Sequence, residues 1–385
     1  MDPKLFRSSS AGKCVRTPGR YWAFVPALLP PKIDFDKSLS IALSHADAAL
    51  GELVGLIKAG AVSRMHMLIQ AFARREAILS SRIEGTHTQL DDLLLAEVKD
   101  HRAVEDQDLR EVQNYAIALE EGVKMLAARP IASRLILELH RILMDGVRGG
   151  DKTPGEFRKQ QNYIGRTGDT VETAKYVPPP VDQLGALLNN WERFANERDA
   201  WPELIQCAIL HEQFEAIHPF QDGNGRIGRL LIILFLIERA RLPQPVLYLS
   251  AFIEAHRQDY YDTLQGVRTD GDWSSWLRFF LAGVTETSRQ GIRQAQELDR
   301  MRRKYLEQLK GSHRARALLE ELFGNPFITV TKAAHILNVT APTAKKYVDD
   351  LLKLNILEET TGKKWGRVYV ARNIRQAMET PIQRS

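Results

Sequence analysis

Twelve consecutive residues, from His218 to Arg229, contain most of the side chains in this sequence that could do chemistry together. They read His-Pro-Phe-Gln-Asp-Gly-Asn-Gly-Arg-Ile-Gly-Arg and lead directly into an apolar segment, Leu230 to Ile237. A packed core has no use for an imidazole, a carboxylate, an amide and two guanidinium groups so close together. The segment is therefore predicted to carry the chemistry of this protein.

The glycines and arginines of this segment are typical of a phosphate site at a helix N-terminus. The first turn of a helix has free backbone N–H groups and partial positive charge, which suit an anion. Gly223 and Gly225 allow backbone conformations that direct successive N–H groups at one anion. Arg226 and Arg229 are three residues apart, so they share one helix face and could bind phosphate oxygens bidentately. Two such groups indicate a di- or triphosphate.

The remaining polar side chains complete a nucleotide site. Asp222 is a hard oxygen ligand suited to the Mg²⁺ that accompanies a nucleotide. His218 lies at the loop entrance, where it could take a proton from an attacking hydroxyl. Taken singly, His218 would more often be structural, and Asp222-Gly223 or Asn224-Gly225 would be ordinary turns. Those interpretations do not explain the histidine and both arginines together, and the P-loop pattern is absent.

Bulk properties indicate an ordinary globular protein. The 385 residues suggest two or three domains, and a net charge of +5 with a pI near 9.1 is weak evidence for nucleic-acid binding. Cys14 and Cys207 have no neighbouring partner in sequence, so neither a disulfide framework nor a zinc site is expected. The N-terminus lacks an apolar signal region, and the longest apolar run, Leu230–Ile237, is far shorter than the ~20 residues of a membrane span. We expect a cytoplasmic protein with no membrane partner.

Apolar residues at three- and four-residue spacing predict that helices position the central motif. Residues 1–37 are rich in proline, serine and basic residues and are predicted to be an extended arm. Gln161–Ile164 and Ala174–Val177 are predicted to pair as a short hairpin within a glycine- and proline-rich region. The helices are predicted at about 38–57, 63–83, 90–98, 106–127, 131–144, 181–195, 204–217, 226–241, 250–267 and 273–306.

The last 70 or so residues are predicted to form a winged helix. A helix-turn-helix pattern runs from Thr331 to Leu354, with Thr340 as the N-cap of its second helix, and two strand-like runs follow it. Its lysines could contact DNA phosphates, but Asp349 and Asp350 on the same helix oppose that use. DNA binding is therefore an alternative that the sequence does not favour over protein contacts.

The central motif resembles the signature of the Fic family. His218, Phe220, Asp222, Gly223, Asn224, Gly225, Arg226 and Arg229 match His-x-Phe-x-(Asp/Glu)-Gly-Asn-Gly-Arg-x-x-Arg at every defined position. The resemblance implies a mainly α fold: a Fic-type helical bundle with a short β-hairpin flap, plus the C-terminal winged helix-turn-helix domain. The predicted divisions are an arm at 1–37, an N-terminal helical region at 38–105, a catalytic core at 106–290, a linker helix at 291–312 and the winged helix at 313–385.

The resemblance also implies an activity, the transfer of AMP from ATP to a Tyr, Thr or Ser hydroxyl of a protein. His218 would deprotonate the hydroxyl, Asp222 would hold Mg²⁺, and the amides of Gly223, Asn224 and Gly225 would form the anion hole. Arg226 and Arg229 would bind the β- and γ-phosphates. The full set predicted to bind ATP also includes Ile227, Gly228, Thr173, Ala174, Lys175, Tyr176, Tyr260 and Tyr261.

A second match lies upstream, where Ser80, Glu84 and Gly85 fit an inhibitory motif, (Ser/Thr)-x-x-x-Glu-(Gly/Asn), that precedes the core in one class of Fic proteins. The resemblance implies that Glu84 pairs with Arg229 and occupies the place of the γ-phosphate. Without the core, the same residues would be an ordinary helix end with Gly85 after the last turn. A carboxylate there is disfavoured by the helix dipole, so a cationic partner would account for it.

The hairpin before the motif resembles the family's flap, which pairs with the target backbone as an added strand and would place the target on residues 164–177. Tyr260 and Tyr261 match a tyrosine pair near the nucleotide, and either could stack on adenine or pack in the core. Three functions compete: autoinhibited AMP transfer, AMP removal by the same site, and a winged-helix DNA-binding regulator with a nucleotide-sensing Fic domain. A homodimer is left open.

Overall fold

The computed structural model describes the chain except for residues 9, 59–64, 100–105, 150–151, 310 and 380–385. Within the described residues the protein is mostly helical, with five short strands. The helices are α1 (Lys37–Lys58), α2 (Met65–Ile83), α3 (Leu90–Lys99), α4 (Gln107–Leu126), α5 (Ser133–Leu143), α6 (Leu184–Asn196), α7 (Glu203–Ile217), α8 (Asn224–Glu238), α9 (Ser250–Ala255), α10 (Arg257–Asp270), α11 (Trp273–Gln308), α12 (His313–Leu322), α13 (Val330–Leu337), α14 (Ala341–Lys353) and α15 (Arg372–Glu379). The strands are β1 (Gly12–Arg16), β2 (Trp22–Pro26), β3 (Phe327–Thr329), β4 (Glu358–Glu359) and β5 (Val368–Val370).

Helices α7 and α8 form the centre of the bundle and carry the predicted site between them. Residues 204–217 of α7 are all buried, and so are residues 226–236 of α8. In α8, burial on every side explains the unbroken apolar run after Arg229. The loop that joins the two helices is therefore held at both ends by the most buried part of the protein.

Helix α2 packs against α4 and α9 and points its C-terminal end at the beginning of α8. It ends at Ile83, as predicted, and Gly85 follows with a positive φ of 102°. The N–H of Thr86 donates to the carbonyl of Ser81 across this turn (3.3 Å), which satisfies one of the last free carbonyls. The first two residues of the helix predicted from residue 63 lie outside the described residues.

The predicted extended arm is a β-hairpin instead. Strands β1 and β2 pair antiparallel in a register from Gly12–Pro26 to Arg16–Trp22. The turn between them closes because Arg20 adopts a positive φ of 65° and the N–H of Thr17 donates to Tyr21 (3.0 Å). The Pro18-Gly19 pair in this turn is a sequence signal for a turn, and the prediction of an extended arm overlooked it.

The predicted hairpin of residues 161–164 and 174–177 is reduced to one bridge. Ile164 and Tyr176 exchange two backbone hydrogen bonds, of 2.8 and 3.0 Å, and no further ladder is described between these segments. The other side of this segment pairs with the N-terminal hairpin, because the N–H of Phe24 donates to Val177 (2.9 Å). The β1–β2 hairpin therefore fixes the exit of the predicted flap.

One predicted helix differs from the structure, and one predicted domain boundary falls inside a helix. The helix predicted at 250–267 is divided into α9 and α10 at His256, whose φ of −116° and ψ of 39° are not helical. Helix α11 continues without a break across residue 290, where the boundary between core and linker was predicted. The predicted domain boundaries are otherwise untested and stay predictions; those at 105 and 385 lie outside the described residues.

The C-terminal region contains the elements in the predicted order. Helices α13 and α14 are joined by a short turn, and β3, β5 and β4 form one antiparallel sheet in that order. Thr340 is the N-cap of α14, as predicted, but its hydroxyl bonds to Thr343 (3.0 Å) and not to the helix backbone. The apolar core is continuous from this region into the helical bundle. The winged-helix assignment stays a prediction.

Among the described residues, one helix, α1, is long and apolar enough by length and composition alone to cross a membrane. Core helices of soluble proteins pass the same test. Leu39, Leu50 and Leu53 of α1 are fully buried, and the helix packs along α11. These contacts account for one face of the helix, and 22% of its most apolar window is buried.

Candidate active site

The loop between α7 and α8 holds His218 in an unusual backbone conformation. His218 has a φ of 48° and a ψ of 62°, in the left-handed region, and its N–H donates to Phe214 (2.9 Å) to close α7. A residue with a Cβ pays roughly 1–2 kcal/mol for this conformation. Two side chains, Arg158 and Asn162, offset that cost by donating to the His218 carbonyl at 3.0 and 3.2 Å. Sequence analysis missed both.

The His218 side chain is an uncharged imidazole next to a carboxyl group. Burial, and then the charges of Arg268 and Arg158, lower the pKa of His218 to about 3. Its Nδ1 lies 4.0 Å from an oxygen of Glu215, whose own pKa is raised to about 7 by burial. Because the imidazole is unprotonated near neutral pH, it is able to accept a proton.

The turn after His218 is folded by the side chain of Asn224. Its Oδ1 accepts from the N–H of Phe220 (2.8 Å) and its Nδ2 donates to the carbonyl of Phe220 (2.9 Å). Helix α8 then begins at Asn224, after Gly223 with a φ of 79°. The N–H groups of the first helical turn have no partner within the helix, so those of Asn224 and Gly225 are placed as an anion site requires. The N–H of Gly223 is engaged by the Asp222 carboxylate at 2.6 Å.

Asp222 stands at the mouth of this turn, with its side chain 38% exposed. Gly149 lies against the carboxylate, where a Cβ would clash with Oδ2. Among the described residues no group of three or more His, Cys, Asp or Glu side chains could hold a metal. One accessible carboxylate fits Mg²⁺, because this ion is commonly bound by one or two carboxylates together with substrate phosphates and water.

His140 supports the turn and was missed by sequence analysis. Its Nδ1 accepts from the N–H of Gly155 (2.9 Å), so Nε2 carries the hydrogen and donates to the carbonyl of Asp222 (3.0 Å). The ring also stacks on Phe220 with centroids 3.7 Å apart. Burial lowers the pKa of His140 to about 4, which keeps this tautomer neutral. A lone histidine on α5 gives no sequence signal for such a role.

Arg226 is buried and paired with a carboxylate, and its predicted role in phosphate binding stays a prediction. It is 3% exposed, and its guanidinium donates to the carboxylate of Glu111 on α4 (3.0 Å) and lies 3.6 Å from Asp222. Its Nε has no hydrogen-bond partner in the described part of the chain. Glu111, another residue that sequence analysis missed, therefore fixes Arg226 beside the turn, with one N–H group unused.

Arg229 is held by the two polar residues of the predicted inhibitory motif. Its guanidinium donates to the Ser80 hydroxyl and carbonyl, both at 2.9 Å, and to the Glu84 carboxylate at 2.6 Å. The predicted contact between Glu84 and Arg229 is thus confirmed. Burial opposes ionisation of Glu84, but the charge of Arg229 outweighs it and lowers the pKa of this carboxyl below its usual value.

Gly225 shows where the Glu84 carboxylate lies. A Cβ on Gly225 would clash with Oε1 of Glu84 and come within 2.9 Å of the Arg229 guanidinium. The carboxylate therefore rests directly on the first turn of α8. It lies beside the free N–H groups of this turn, and among the described residues its hydrogen bond is to Arg229.

The other predicted nucleotide residues divide into buried and exposed sets. The side chains of Ala174, Tyr176, Ile227 and Tyr260 lie in the protein interior, so a nucleotide would meet only their backbone. Gly228 is buried as well, against the Glu215 carboxyl. The hydroxyl of Tyr176 donates to Ala216 (2.7 Å), and that of Tyr260 bonds to His211 (2.8 Å). The exposed set is Thr173, Lys175 and Tyr261.

Of the tyrosine pair, Tyr260 thus follows the core alternative, and stacking on adenine is left to Tyr261, which is 38% exposed. The guanidinium of Arg257 lies 6.0 Å from the Tyr261 ring. The ammonium of Lys175 lies 3.9 Å from Asp262. The roles predicted for these residues stay predictions.

A buried helix pair joined by a histidine loop and a glycine turn is the arrangement expected of the Fic class of protein. Family models support this directly: the Fic/DOC family model matches residues 130–236, and the Fic/DOC N-terminal model matches residues 41–124. The chain belongs to the Fic family.

Two proteins named protein adenylyltransferase Fic are similar to this chain in sequence. The chain is 36% identical over 156 residues to the protein adenylyltransferase Fic of Aedes aegypti, covering 39% of this chain and 27% of that one. It is 29% identical over 246 residues to the protein of the same name from Culex quinquefasciatus, covering 60% and 45%. The chain thus spans less than half the length of these relatives.

Solved structures share the fold. A Fic family protein from Desulfovibrio desulfuricans superposes with a TM-score of 0.59 at 20% identity, covering 89% of this chain and 98% of that one. A Fic domain-containing signaling protein from Bacteroides thetaiotaomicron superposes with a TM-score of 0.52 at 16% identity, covering 66% and 97%.

Proposed function

We propose that this protein is an autoinhibited protein adenylyltransferase that moves AMP from ATP to a Tyr, Thr or Ser hydroxyl of a target protein or of itself. One observation carries the proposal. The Glu84 carboxylate lies on the first turn of α8, bonded to Arg229, beside an unprotonated His218. An anion site, a proton acceptor and an internal competitor for the anion therefore meet at one place.

The chemistry assigned to each group follows from its position. His218 takes the proton of the target hydroxyl as the hydroxyl oxygen attacks the α-phosphorus of ATP. The bond to the β-phosphate oxygen breaks, and pyrophosphate leaves. The N–H groups of Asn224 and Gly225 stabilise the charge on the phosphates, as fixed donors in a dry site do. Asp222 would hold Mg²⁺, which neutralises phosphate charge when it is bound.

Arg229 gives the site its regulation. With Glu84 released, its guanidinium would bind the γ-phosphate and align the α-phosphate for in-line attack. With Glu84 bound, the carboxylate and the γ-phosphate compete for the same donor, and like charges repel. The relatives are named protein adenylyltransferases, which supports the activity. The contact between Glu84 and Arg229 supports the inhibition.

Labelling tests the proposal. The purified protein is incubated with α-labelled ATP and Mg²⁺, with a proteome extract as the source of targets. Label on protein should rise with Glu84→Gly and be absent from the Glu84→Gly/His218→Ala double variant. Asp199→Gly is a matched control, because it removes an exposed carboxylate where a φ of 60° suits glycine. Equal labelling of all four proteins would refute the proposal.

A second reaction, removal of AMP from a modified protein, is favoured by the exposure of Glu84. Its side chain is 37% exposed while bonded to Arg229, so it could orient an attacking water. Loss of label from a pre-modified target, abolished by Glu84→Gly, would support removal. Labelling that only rises in that variant would support transfer alone.

DNA binding receives less support. On α14, Lys345 pairs with Asp349, and Lys353 pairs with Asp350. The charge that DNA phosphates would need on this helix is thereby partly neutralised. DNA binding, a homodimer and a cytoplasmic location stay predictions, and docking of the target on residues 164–177 is part of the proposal.

A further inference from the structure

Arg158 is a buried cation whose hydrogen-bond acceptors are backbone carbonyls. It is 2% exposed, and its guanidinium donates to His218 (3.0 Å), Pro179 (2.6 Å) and Gln160 (3.4 Å). Its backbone N–H donates to Pro219 (2.8 Å). In the described part of the chain it makes no ion pair with a carboxylate. Burial lowers the pKa of Arg158 to about 10.

Burying a charge without a counter-ion costs free energy, so the hydrogen bonds of Arg158 must offset that cost. The contacts of Arg158 join two parts of the proposed site. His218 and Pro219 belong to the loop between α7 and α8, whereas Pro179 follows the predicted flap. One planar guanidinium can bridge them because its donors point in fixed, divergent directions.

Asn162 acts on the same carbonyl without a charge. Its Nδ2 donates to His218 (3.2 Å) and to Phe220 (2.7 Å). The His218 carbonyl thus receives two side-chain donors, from residues four apart in one segment. Together they oppose relaxation of His218 from its left-handed conformation toward the ordinary one, which would redirect the imidazole.

Arg158 is also one of the charges that face His218. Arg268 on α10 and Arg158 disfavour the protonated imidazole, whereas Glu84 after α2 and the Glu215 backbone on α7 favour it. The Glu215 carboxyl lies 4.0 Å from Nδ1. Loss of the Arg158 charge would therefore raise the pKa of His218.

We propose that Arg158 is a positioning residue for His218, which fixes the loop and the flap exit as one hydrogen-bonded unit. This inference rests on the proposed transfer of AMP. Two contributions are combined in one side chain: geometry, which Asn162 shares, and charge, which Asn162 lacks. Variants of the two residues separate them.

The experiment uses the full chain with Glu84→Gly as the active parent. Arg158→Gln, Arg158→Lys and Asn162→Ala are added singly, and kcat, the KM for ATP and the pH profile of kcat are measured. All three should lower kcat, by about 10- to 100-fold, because small displacements of a reacting group cost that much. The KM for ATP should change less than about threefold, because neither side chain bonds directly to residues 222–229.

The pH profile distinguishes a positioning role from a merely structural one. Only Arg158→Gln removes the charge, so only this variant should move the acid limb of kcat to higher pH. Arg158→Lys and Asn162→Ala should leave the limb in place while kcat falls. Unchanged kcat in all three, or the same pH shift in all three, would overturn the inference.

Folding and the parent activity are checked separately. Circular dichroism and thermal melts show whether each variant folds. If Arg158→Gln does not fold, the other two variants still test the proposal. A lower kcat with an unchanged acid limb of the pH profile in both would support the positioning role. A shifted acid limb in Arg158→Lys, which keeps the charge, would overturn the role assigned to the charge. If the parent itself shows no His218-dependent labelling, the proposed function has failed before Arg158 is tested.

Discussion

Removal of the Glu84 carboxylate is predicted to activate the enzyme by an amount that the contact itself sets. Glu84 accepts one hydrogen bond from Arg229, at 2.6 Å, and no other hydrogen bond to its carboxylate is described. Glu84→Gly breaks that bond and vacates the first turn of α8. Arg229 keeps both bonds to Ser80, so its guanidinium stays in place for a phosphate.

The magnitude follows from the strength of one charge-assisted hydrogen bond. Such bonds contribute a net ~1.5–3 kcal/mol when sheltered from water. Glu84 is 37% exposed, so solvent screening favours the lower half of that range, about 1.5–2 kcal/mol. That energy corresponds to an increase in labelling rate of about 10- to 30-fold. Glu84→Gln keeps a weaker bond and should give about 3- to 5-fold, since a neutral acceptor is roughly half as strong.

The assay is initial-rate transfer of α-labelled AMP at saturating Mg²⁺-ATP, with Asp199→Gly as the control. The ion pair between Glu84 and Arg229 should stay formed between pH 5 and 8, so the wild type should not be activated in that range. The folded pKa of Glu84 lies below its usual value, so the ion pair is fully formed above the unfolded value and is lost only as pH falls through the folded one. Equal rates for Glu84→Gly and Glu84→Gln, or activation of the wild type at pH 5.5, would refute the reasoning.

Three further predictions concern single contacts. Gly225→Ala in the Glu84→Gly parent should weaken ATP binding at least about tenfold by titration calorimetry, because a Cβ would occupy the anion turn; unchanged affinity would place the phosphates elsewhere. His140 has a folded pKa of about 4 against about 6.5 unfolded, so the folded state binds fewer protons between these values and stability falls as pH drops through them. Between neutral pH and pH 5 the free energy of unfolding of the wild type should fall by about 2 kcal/mol more than that of His140→Ala, measured by urea unfolding at both pH values. Equal losses in the two proteins would contradict the assignment. Glu76→Ala should destabilise the fold by about 3 kcal/mol in the same assay, since it leaves the N–H of Ser250 (3.1 Å) and the Tyr115 hydroxyl (3.2 Å) without their buried acceptor; a loss under 1 kcal/mol would argue against it.

The sequence could predict the reacting groups but not what holds them. His218, the glycine turn and Arg229 lie within twelve residues, so their types and spacing describe one site. The ion pair between Arg229 and Glu84 joins residues 145 apart, and only the family resemblance made it predictable. The helix dipole indicates that a carboxylate at this helix end is stabilised by a cationic partner, but it does not indicate which residue that partner is.

The supporting residues share a different property, which explains why they were missed. Arg158, Asn162 and His140 act on backbone carbonyls of the loop from 56 to 82 residues away. A carbonyl acceptor exists at every position, so such contacts leave no pattern of residue types. For the N-terminal hairpin the sequence carries a turn signal at Pro18-Gly19, but its docking on Val177 is a contact with a backbone carbonyl and leaves no such pattern.

Under the proposed inhibition, the contacts of Arg229 favour a release that needs only a small movement. Ser80 and Glu84 are four residues apart and both bond to the Arg229 guanidinium, but their effects on it differ. Ser80 is fully buried and orients Arg229, whereas Glu84 lies beyond the last residue of α2 and remains partly exposed. Glu76, one turn before Ser80, fixes the same face to α4 and α9. Since unfolding α2 would also release Ser80 and disorient Arg229, an activating ligand gains most by displacing Glu84 alone and leaving the helix folded.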